Sequence, residues 1–255
     1  MSKMIEEGKV VGQKVLNAST KLIEIIAPKI AAEAKPGQFV NVKVLNGTAP
    51  LLRRPLGVAA VNAIDGTITL IYRIIGETTK LLAEYCNGDR LSIVGPLGNG
   101  FAPMPKRALI VGGGVGLAPL LYLAAEAGAA SVDVLMGGRT ADELFWTDLY
   151  EDYVSHIYLT TDDGSLGTKG TVMALLPQLL ADNDYECIYV CGPLPMMKAV
   201  AQTAAAAEIK CQVSLERYMC CGIGACLTCA CAGIGKRLKV CTDGPVFWAE
   251  EVGEW

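Results

Sequence analysis

Arg107-Ala108-Leu109-Ile110-Val111-Gly112-Gly113-Gly114-Val115-Gly116-Leu117-Ala118-Pro119 decides the fold of this chain. An apolar run feeds a glycine turn, and Leu117-Ala118-Pro119 opens the segment that follows. A buried strand, a glycine turn and a helix in that order open a doubly wound α/β unit, whose turn lets a dinucleotide pyrophosphate approach the backbone. Gly112, Gly113, Gly114 and Gly116 are the candidate contacts. The run departs from strict G-x-G-x-x-G, since Ala118 follows Leu117, and tight strand–helix packing without a ligand is the alternative reading of the same glycines. Ala108–Ala125 carries no charge, but its glycines and Pro119 read as strand, turn and helix rather than a membrane span.

Working outward toward the C-terminus, strands at Ser131–Met136, Ile157–Thr161, Cys187–Cys191 and Cys211–Leu215 alternate with helices at Val172–Leu180 and Met196–Ala207. Five strands alternating with helices make a parallel, doubly wound sheet, with ligands beyond the carboxyl ends of its strands. Three loops lie there: Gly112–Gly116, Gly137–Arg139 and Cys191-Gly192-Pro193. Asp133 follows the glycines at the spacing of a ribose-binding acid but falls inside its strand, so no role is assigned to it.

Toward the N-terminus, five short strands are expected at Lys9–Leu16, Thr20–Ala27, Gln38–Leu45, Thr67–Ile74 and Arg90–Val94, with turns at Pro36-Gly37, Asn46-Gly47 and Asp65-Gly66. Evenly spaced antiparallel strands of this kind close into a barrel. Two stretches interrupt the alternation with chemistry. Arg53-Arg54-Pro55-Leu56 offers guanidinium groups suited to a pyrophosphate, and Gly76-Glu77-Thr78-Thr79 offers hydroxyls at a helix start, where free N–H groups favour phosphate. A Gly/Pro-rich linker, Gly95–Phe101, puts the boundary near Met104–Lys106, giving units at 1–104, 105–214 and 215–255.

The last unit holds the strongest signal. Cys221, Cys226 and Cys229 follow C-x4-C-x2-C, the plant-type spacing for a [2Fe–2S] cluster, and after eleven intervening residues Cys241 supplies the fourth thiolate that its two irons need. Gly222 and Gly224 allow a tight loop whose N–H groups point at sulfur. Zinc competes for four thiolates but usually sits between two C-x2-C knuckles. Cys220 and Cys231 flank the set; using Cys220 would lengthen the first gap to five.

Composition narrows the classes. The chain has 255 residues, 52% hydrophobic and 6% aromatic, so aliphatic side chains build the core. A net charge of −4 without blocks of like charge argues against nucleic acid and anionic membrane surfaces. Ten cysteines without a signal sequence suggest a reducing cytoplasm. His156 is the single histidine, which nearly excludes histidine-based metal sites.

Together these pieces resemble the ferredoxin–NADP reductase superfamily, and within it the electron-transfer subunits of NAD-dependent (class 1B) dihydroorotate dehydrogenases. The resemblance runs through Leu52–Leu56, Gly112–Leu120, Thr161–Gly170, Cys191-Gly192-Pro193, Met219–Cys229 and Val240–Phe247. It implies an FAD-binding barrel, an NAD-binding α/β domain and a small [2Fe–2S] domain. The family's R-P-[IL]-S flavin motif falls on Arg54, Pro55, Leu56 and Gly57, with Gly57 in place of the serine. A second flavin contact falls on Ile71, Tyr72 and Arg73, and a Gly-Thr pair on Thr78 and Thr79, with Thr78 in place of the glycine. Cys191, beside Gly192, corresponds to a position near the nicotinamide, and the cluster ligands match at all four cysteines. The implied partner is an FMN-containing dihydroorotate dehydrogenase catalytic subunit, in a heterotetramer with two copies of each chain. Electrons would pass through the cluster and FAD to NAD, with no catalytic acid or base in this chain. The alternative is a flavin/[2Fe–2S] reductase subunit of another complex, either a bifurcating ferredoxin–NADP transhydrogenase or a hydrogenase diaphorase.

Overall fold

A computed structural model describes residues 3–44, 49–127, 132–253 and 255. The turn expected at Asn46-Gly47, and the strand ends at Leu45 and Ser131, lie outside the described residues.

The chain begins with β1 (Met4–Asn17), β2 (Thr20–Ile26), α1 (Pro28–Glu33), β3 (Phe39–Val44), β4 (Arg54–Asn62), β5 (Thr67–Arg73), α2 (Glu77–Ala83) and β6 (Arg90–Leu97). The six strands close into an antiparallel barrel in the order β1-β2-β5-β4-β3-β6. Strand alternation puts Ile23, Ile25, Val40, Val42, Ile68, Leu70, Leu91 and Ile93 inside it, all at zero exposure. Burying one such side chain contributes roughly 1.5–3 kcal/mol. At the β4–β5 hairpin Asn62 Oδ1 accepts N–H bonds from Ile64 and Asp65, and Gly66 takes φ +64°.

The barrel expectation of five strands is corrected to six. The extra strand is β4, which carries the Arg54-Pro55-Leu56-Gly57 motif. Its pairing with β5 shifts register between Val58 and Ala60, so both Val58 and Ala59 are buried and the period-2 signal disappears.

The second unit continues with β7 (Ala108–Gly113), α3 (Leu117–Ala127), β8 (Val132–Gly138), α4 (Thr147–Tyr150), β9 (His156–Thr161), β10 (Thr168–Lys169), α5 (Leu176–Asp182), β11 (Cys187–Cys191), α6 (Leu194–Ala206) and β12 (Lys210–Ser214). After these come β13 (Ala230–Gly233), β14 (Lys236–Lys239) and β15 (Val246–Trp248). The sheet order is β10-β9-β8-β7-β11-β12-β15, parallel except for β15, which pairs antiparallel with β12. The chain winds outward in opposite directions from β7 and β11, so the topological switch falls between Gly112–Gly116 and Cys191-Gly192. The helix expected at Val172–Leu180 is instead a 3₁₀ turn at Val172–Ala174 followed by α5, with Pro177 in its first turn.

One apolar layer, including α3, Trp146 and Tyr150, covers one face of the sheet. The other layer combines α5 and α6 with Leu238, Val240, Cys229 and Cys241 from the C-terminal segment and with Phe39 and Leu97 from the barrel. That shared core fixes the C-terminal loop against both larger units. The Tyr122 hydroxyl donates to Ala34 carbonyl oxygen at 3.0 Å, and Asn99 Nδ2 to that of Asp243 at 2.9 Å, pinning the same junctions. No helix among the described residues is long and apolar enough to cross a membrane.

Candidate cofactor sites

The cysteine loop is built by left-handed backbone. Gly222 (φ +70°), Gly224 (+86°) and Leu227 (+62°) reverse the chain within six residues, and reversals of this kind turn N–H groups inward. Cys221 Sγ accepts N–H bonds from Ile223 at 3.5 Å and Cys226 at 3.4 Å. The exposed Cys226 thiol is pulled down to about 6, chiefly by hydrogen bonds from Thr228 and then from Cys221. The next arm is the β13–β14 hairpin, in which Ala230 faces Lys239, so Cys229 and Cys241 at its two ends come together. Both are buried, and burial with the neighbouring Cys229 pushes Cys241 up to about 11.

The four thiols therefore group as two pairs, Cys221 with Cys226 and Cys229 with Cys241. Among the described residues no three Cys, His, Asp or Glu side chains are arranged to hold one metal ion. A tetrahedral zinc site needs its donors around one point, whereas a [2Fe–2S] cluster takes two thiolates at each of two irons. The donor set fits the cluster. Cys231 faces Leu238 within the hairpin and is buried there, outside the two pairs.

The glycine turn tells a different story from its sequence. A Cβ on Gly112 would sit 2.2 Å from the Leu117 side chain, on Gly113 2.9 Å from Met196 Sδ, and on Gly116 2.6 Å from the Cys191 backbone. Those three glycines let protein pack on protein. Gly114 differs: its φ is +56° and the space beyond it is open, so no neighbouring protein atom accounts for this glycine. Cys191 lies opposite Gly112 in the ladder and is buried, which raises its thiol pKa, with Glu216 adding to the rise. Glu216 reaches solvent, yet surrounding protein still pushes its carboxyl up by desolvation.

On the barrel, the adjacent arginines separate. Arg53 donates to the Ser92 carbonyl oxygen and hydroxyl, both at 2.8 Å, which corrects the expectation that the pair acts together on a pyrophosphate. Arg54 makes no hydrogen bond or ion pair among the described residues. Pro55, Leu56 and Gly57 are half-buried, and a Cβ on Gly57 would meet Pro119 of α3 at 3.3 Å. The Tyr72 side chain is packed in the barrel core, with Gln13 Nε2 donating to its hydroxyl at 3.5 Å. Ile71 and Arg73, on the other face, are the side chains that point out of the barrel. At the start of α2, Thr79 Oγ1 accepts from the N–H groups of Ile75 and Gly76 at 3.1 and 3.0 Å. Thr78 Oγ1 is buried and has no hydrogen-bond partner. A buried hydroxyl without a partner costs about 1–3 kcal/mol, so this position fits a polar ligand atom.

Arg139, at the end of β8, is held by Glu143, which also accepts the Arg139 backbone N–H at 2.9 Å. The guanidinium beside it lowers the Glu143 carboxyl pKa. Asp133 binds His156 Nδ1 at 2.9 Å and accepts from the Tyr185 hydroxyl at 2.6 Å, at the end of the sheet away from the glycine turn. It is a structural residue. The sequence reading missed Asn41, whose side chain lies under the cysteine loop; on an alternating strand an outward asparagine looks the same whether solvent or protein covers it.

Two family models match the chain. Residues 216–253 match the iron-sulfur cluster binding domain of dihydroorotate dehydrogenase B, and residues 110–202 match an oxidoreductase NAD-binding domain. The chain is 43% identical over 223 residues to the dihydroorotate dehydrogenase B (NAD(+)) electron transfer subunit of Caldanaerobacter subterraneus subsp. tengcongensis, covering 85% of this chain and 86% of that one. It is 37% identical to the same subunit of Desulforamulus reducens over 97% of both chains. Among solved structures, a chain of the NADH-dependent reduced ferredoxin-NADP oxidoreductase superposes with a TM-score of 0.87 at 32% identity, covering 97% of this chain and 90% of that one. The ferredoxin reductase of carbazole 1,9a-dioxygenase shares the fold, with a TM-score of 0.69 at 24% identity over 82% of this chain and 67% of that one.

Proposed function

Since this chain belongs to the family of dihydroorotate dehydrogenase B electron transfer subunits, we propose that it carries electrons from an FMN-containing partner that oxidises dihydroorotate to NAD⁺, in pyrimidine biosynthesis. Its carriers are a [2Fe–2S] cluster and FAD. When bound, the cluster exchanges single electrons and the flavin links them to the two-electron hydride chemistry of nicotinamide.

The protein's own residues hold and orient these groups. Cys221, Cys226, Cys229 and Cys241 would hold the cluster through their thiolates. The N–H groups of Ile223 and Cys226 point at Cys221 Sγ. On the barrel, the unpaired Arg54 guanidinium and the Thr78 hydroxyl take flavin phosphate oxygens, while Thr79 holds the turn that presents them. Pro55, Leu56, Gly57, Ile71, Arg73 and the Tyr72 backbone border the flavin ring. Gly114 opens the NAD loop, packed in place by Gly112, Gly113 and Gly116 against Cys191 and Gly192. Burial keeps the Cys191 thiol protonated, so this wall places no thiolate beside the nicotinamide. No residue here has to move a proton to a substrate.

The division at 1–104, 105–214 and 215–255 follows the three tasks, although β15 of the last unit completes the sheet of the second. The partner assembly is two copies of each chain, and ten cysteines with no disulfide between them favour a reducing compartment, the cytoplasm. The observation that carries the reading is the pairing of the four thiols. A second reading, a reductase subunit of an electron-bifurcating complex, draws on the 0.87 superposition with the ferredoxin-NADP oxidoreductase chain. Mixing the anaerobically purified chain with the FMN-containing catalytic subunit tests the first reading: dihydroorotate should reduce NAD⁺ only with both chains present. Dihydroorotate-independent NADH oxidation coupled to ferredoxin would favour the second.

A further inference from the structure

Asn41 is 1% exposed, and neither amide atom of its side chain has a hydrogen-bond partner. It points outward from β3, between Val40 and Val42, which fill the barrel interior. On the ladder it lies opposite Pro55 of β4 on one side and Val94 of β6 on the other. Above it sits the cysteine loop: a Cβ on Gly222 would fall 2.1 Å from Asn41 Nδ2 and 3.1 Å from Leu97 Cδ1. The amide is thus enclosed by apolar side chains and by the backbone immediately after Cys221. Phe39 and Leu97, its neighbours on this outer face, are apolar and buried, so simple packing here calls for an apolar residue. An amide in such a place needs a partner, because an unmade buried hydrogen bond is expensive.

Resting on the function proposed above, we propose that Asn41 is a positioning residue for the [2Fe–2S] cluster, its Nδ2–H donating to a sulfur at the Cys221 end. Gly222 is then glycine for two reasons, its φ of +70° and the room it leaves for the amide. The amide joins the Ile223 and Cys226 N–H groups already directed at Cys221 Sγ. Hydrogen bonds to cluster sulfur stabilise the more negative, reduced state and raise the reduction potential. Asn41 also ties the cluster loop to the strand beside Pro55, so one side chain spans the gap between the flavin motif and the cluster loop.

The test uses the full chain with cluster and flavin loaded, and begins with iron and flavin content. A wild-type chain without iron would defeat the proposed function itself; an iron-loaded chain allows this inference to be judged separately. Redox titration followed by electron paramagnetic resonance should show a lower cluster potential in Asn41→Leu and Asn41→Ala. The expected change is roughly tenfold in the one-electron equilibrium, which is about 59 mV. Unfolding of Asn41→Leu would leave the smaller, uncharged Asn41→Ala to decide. In wild-type chain labelled with ¹⁵N-asparagine, the reduced cluster should show a nitrogen coupling from a side-chain amide, a readout that needs no variant. An unchanged potential in folded, iron-loaded variants, absence of that coupling, or a change confined to the flavin bands would overturn the assignment.

Discussion

Two sets of cysteines in one chain behave as different residues. Cys187, Cys191 and Cys211 lie in the parallel sheet, where burial pushes all three thiols up. Cys226 lies in an exposed loop, where Thr228 and Cys221 bring its thiol down to about 6. Local surroundings explain the contrast. In the sheet desolvation dominates, and the hydrogen bonds reaching Cys187 and Cys191 do not offset it. In the loop, three residues with positive φ break the ladder pattern and free N–H groups to face Cys221. The surroundings of each thiol therefore set these two extremes apart, with the buried Cys241 of the loop region pushed up like the sheet cysteines.

Exchanging residues between the two classes should break the contrast most sharply. Cys229→Ser should abolish iron retention and reduce dihydroorotate-driven NAD⁺ reduction at least ~100-fold, since structural metal sites depend on their full ligand set. Cys211→Ala should keep full iron content, with only the modest loss of stability expected for a small buried group. Metal analysis and turnover on the two proteins check both.

Alkylation of the metal-free chain sharpens the same point. Because the thiolate is the nucleophile, iodoacetamide should modify Cys226 first, with a rate that climbs as pH rises through about 6. Cys191 and Cys211 should remain unmodified at neutral pH. Peptide mass mapping over a pH series measures this, and equal labelling of loop and sheet cysteines would remove the distinction.

A Gly224→Ala substitution should weaken cluster retention, since its φ of +86° strains any side chain and a Cβ would approach Thr242 Cγ2 at 2.9 Å. The cost is about 1–3 kcal/mol, visible as faster iron loss to a chelator. Gly114→Ala shares the positive φ but meets open space, so it should cost less and leave iron untouched. The smallest effect belongs to the barrel: Thr78→Val, nearly the same shape without the hydroxyl, should weaken FAD binding about fivefold, near 1 kcal/mol. Fluorescence titration of the flavin-free chain reads it.

Much of this architecture was legible because its strands are simple. Cys187–Cys191 begins and ends where expected, as a buried β-rich run closed by Gly192-Pro193. β4 was hidden for a physical reason: it opens with Arg54-Pro55, and its register shift buries consecutive residues, so neither composition nor alternation marks a strand. At the site, spacing singled out the candidate cysteines, but only the β13–β14 register explains how Cys229 meets Cys241. Arg53 and Arg54 are indistinguishable in sequence, yet one braces Ser92 and the other is unpaired. The glycine turn misleads in the opposite direction, because three of its four glycines answer to neighbouring protein atoms. Asn41 gave no sequence signal, since its meaning depends on a loop 180 residues away.

The pairing of the four thiols is tested most directly by the anaerobically purified chain, analysed for iron, sulfide and flavin and then reduced with dithionite. Two irons and two sulfides per chain, as the cluster formula requires, one flavin, and a rhombic electron paramagnetic resonance signal on reduction are the expected result. A single zinc per chain with no sulfide and no paramagnetic signal would contradict the account.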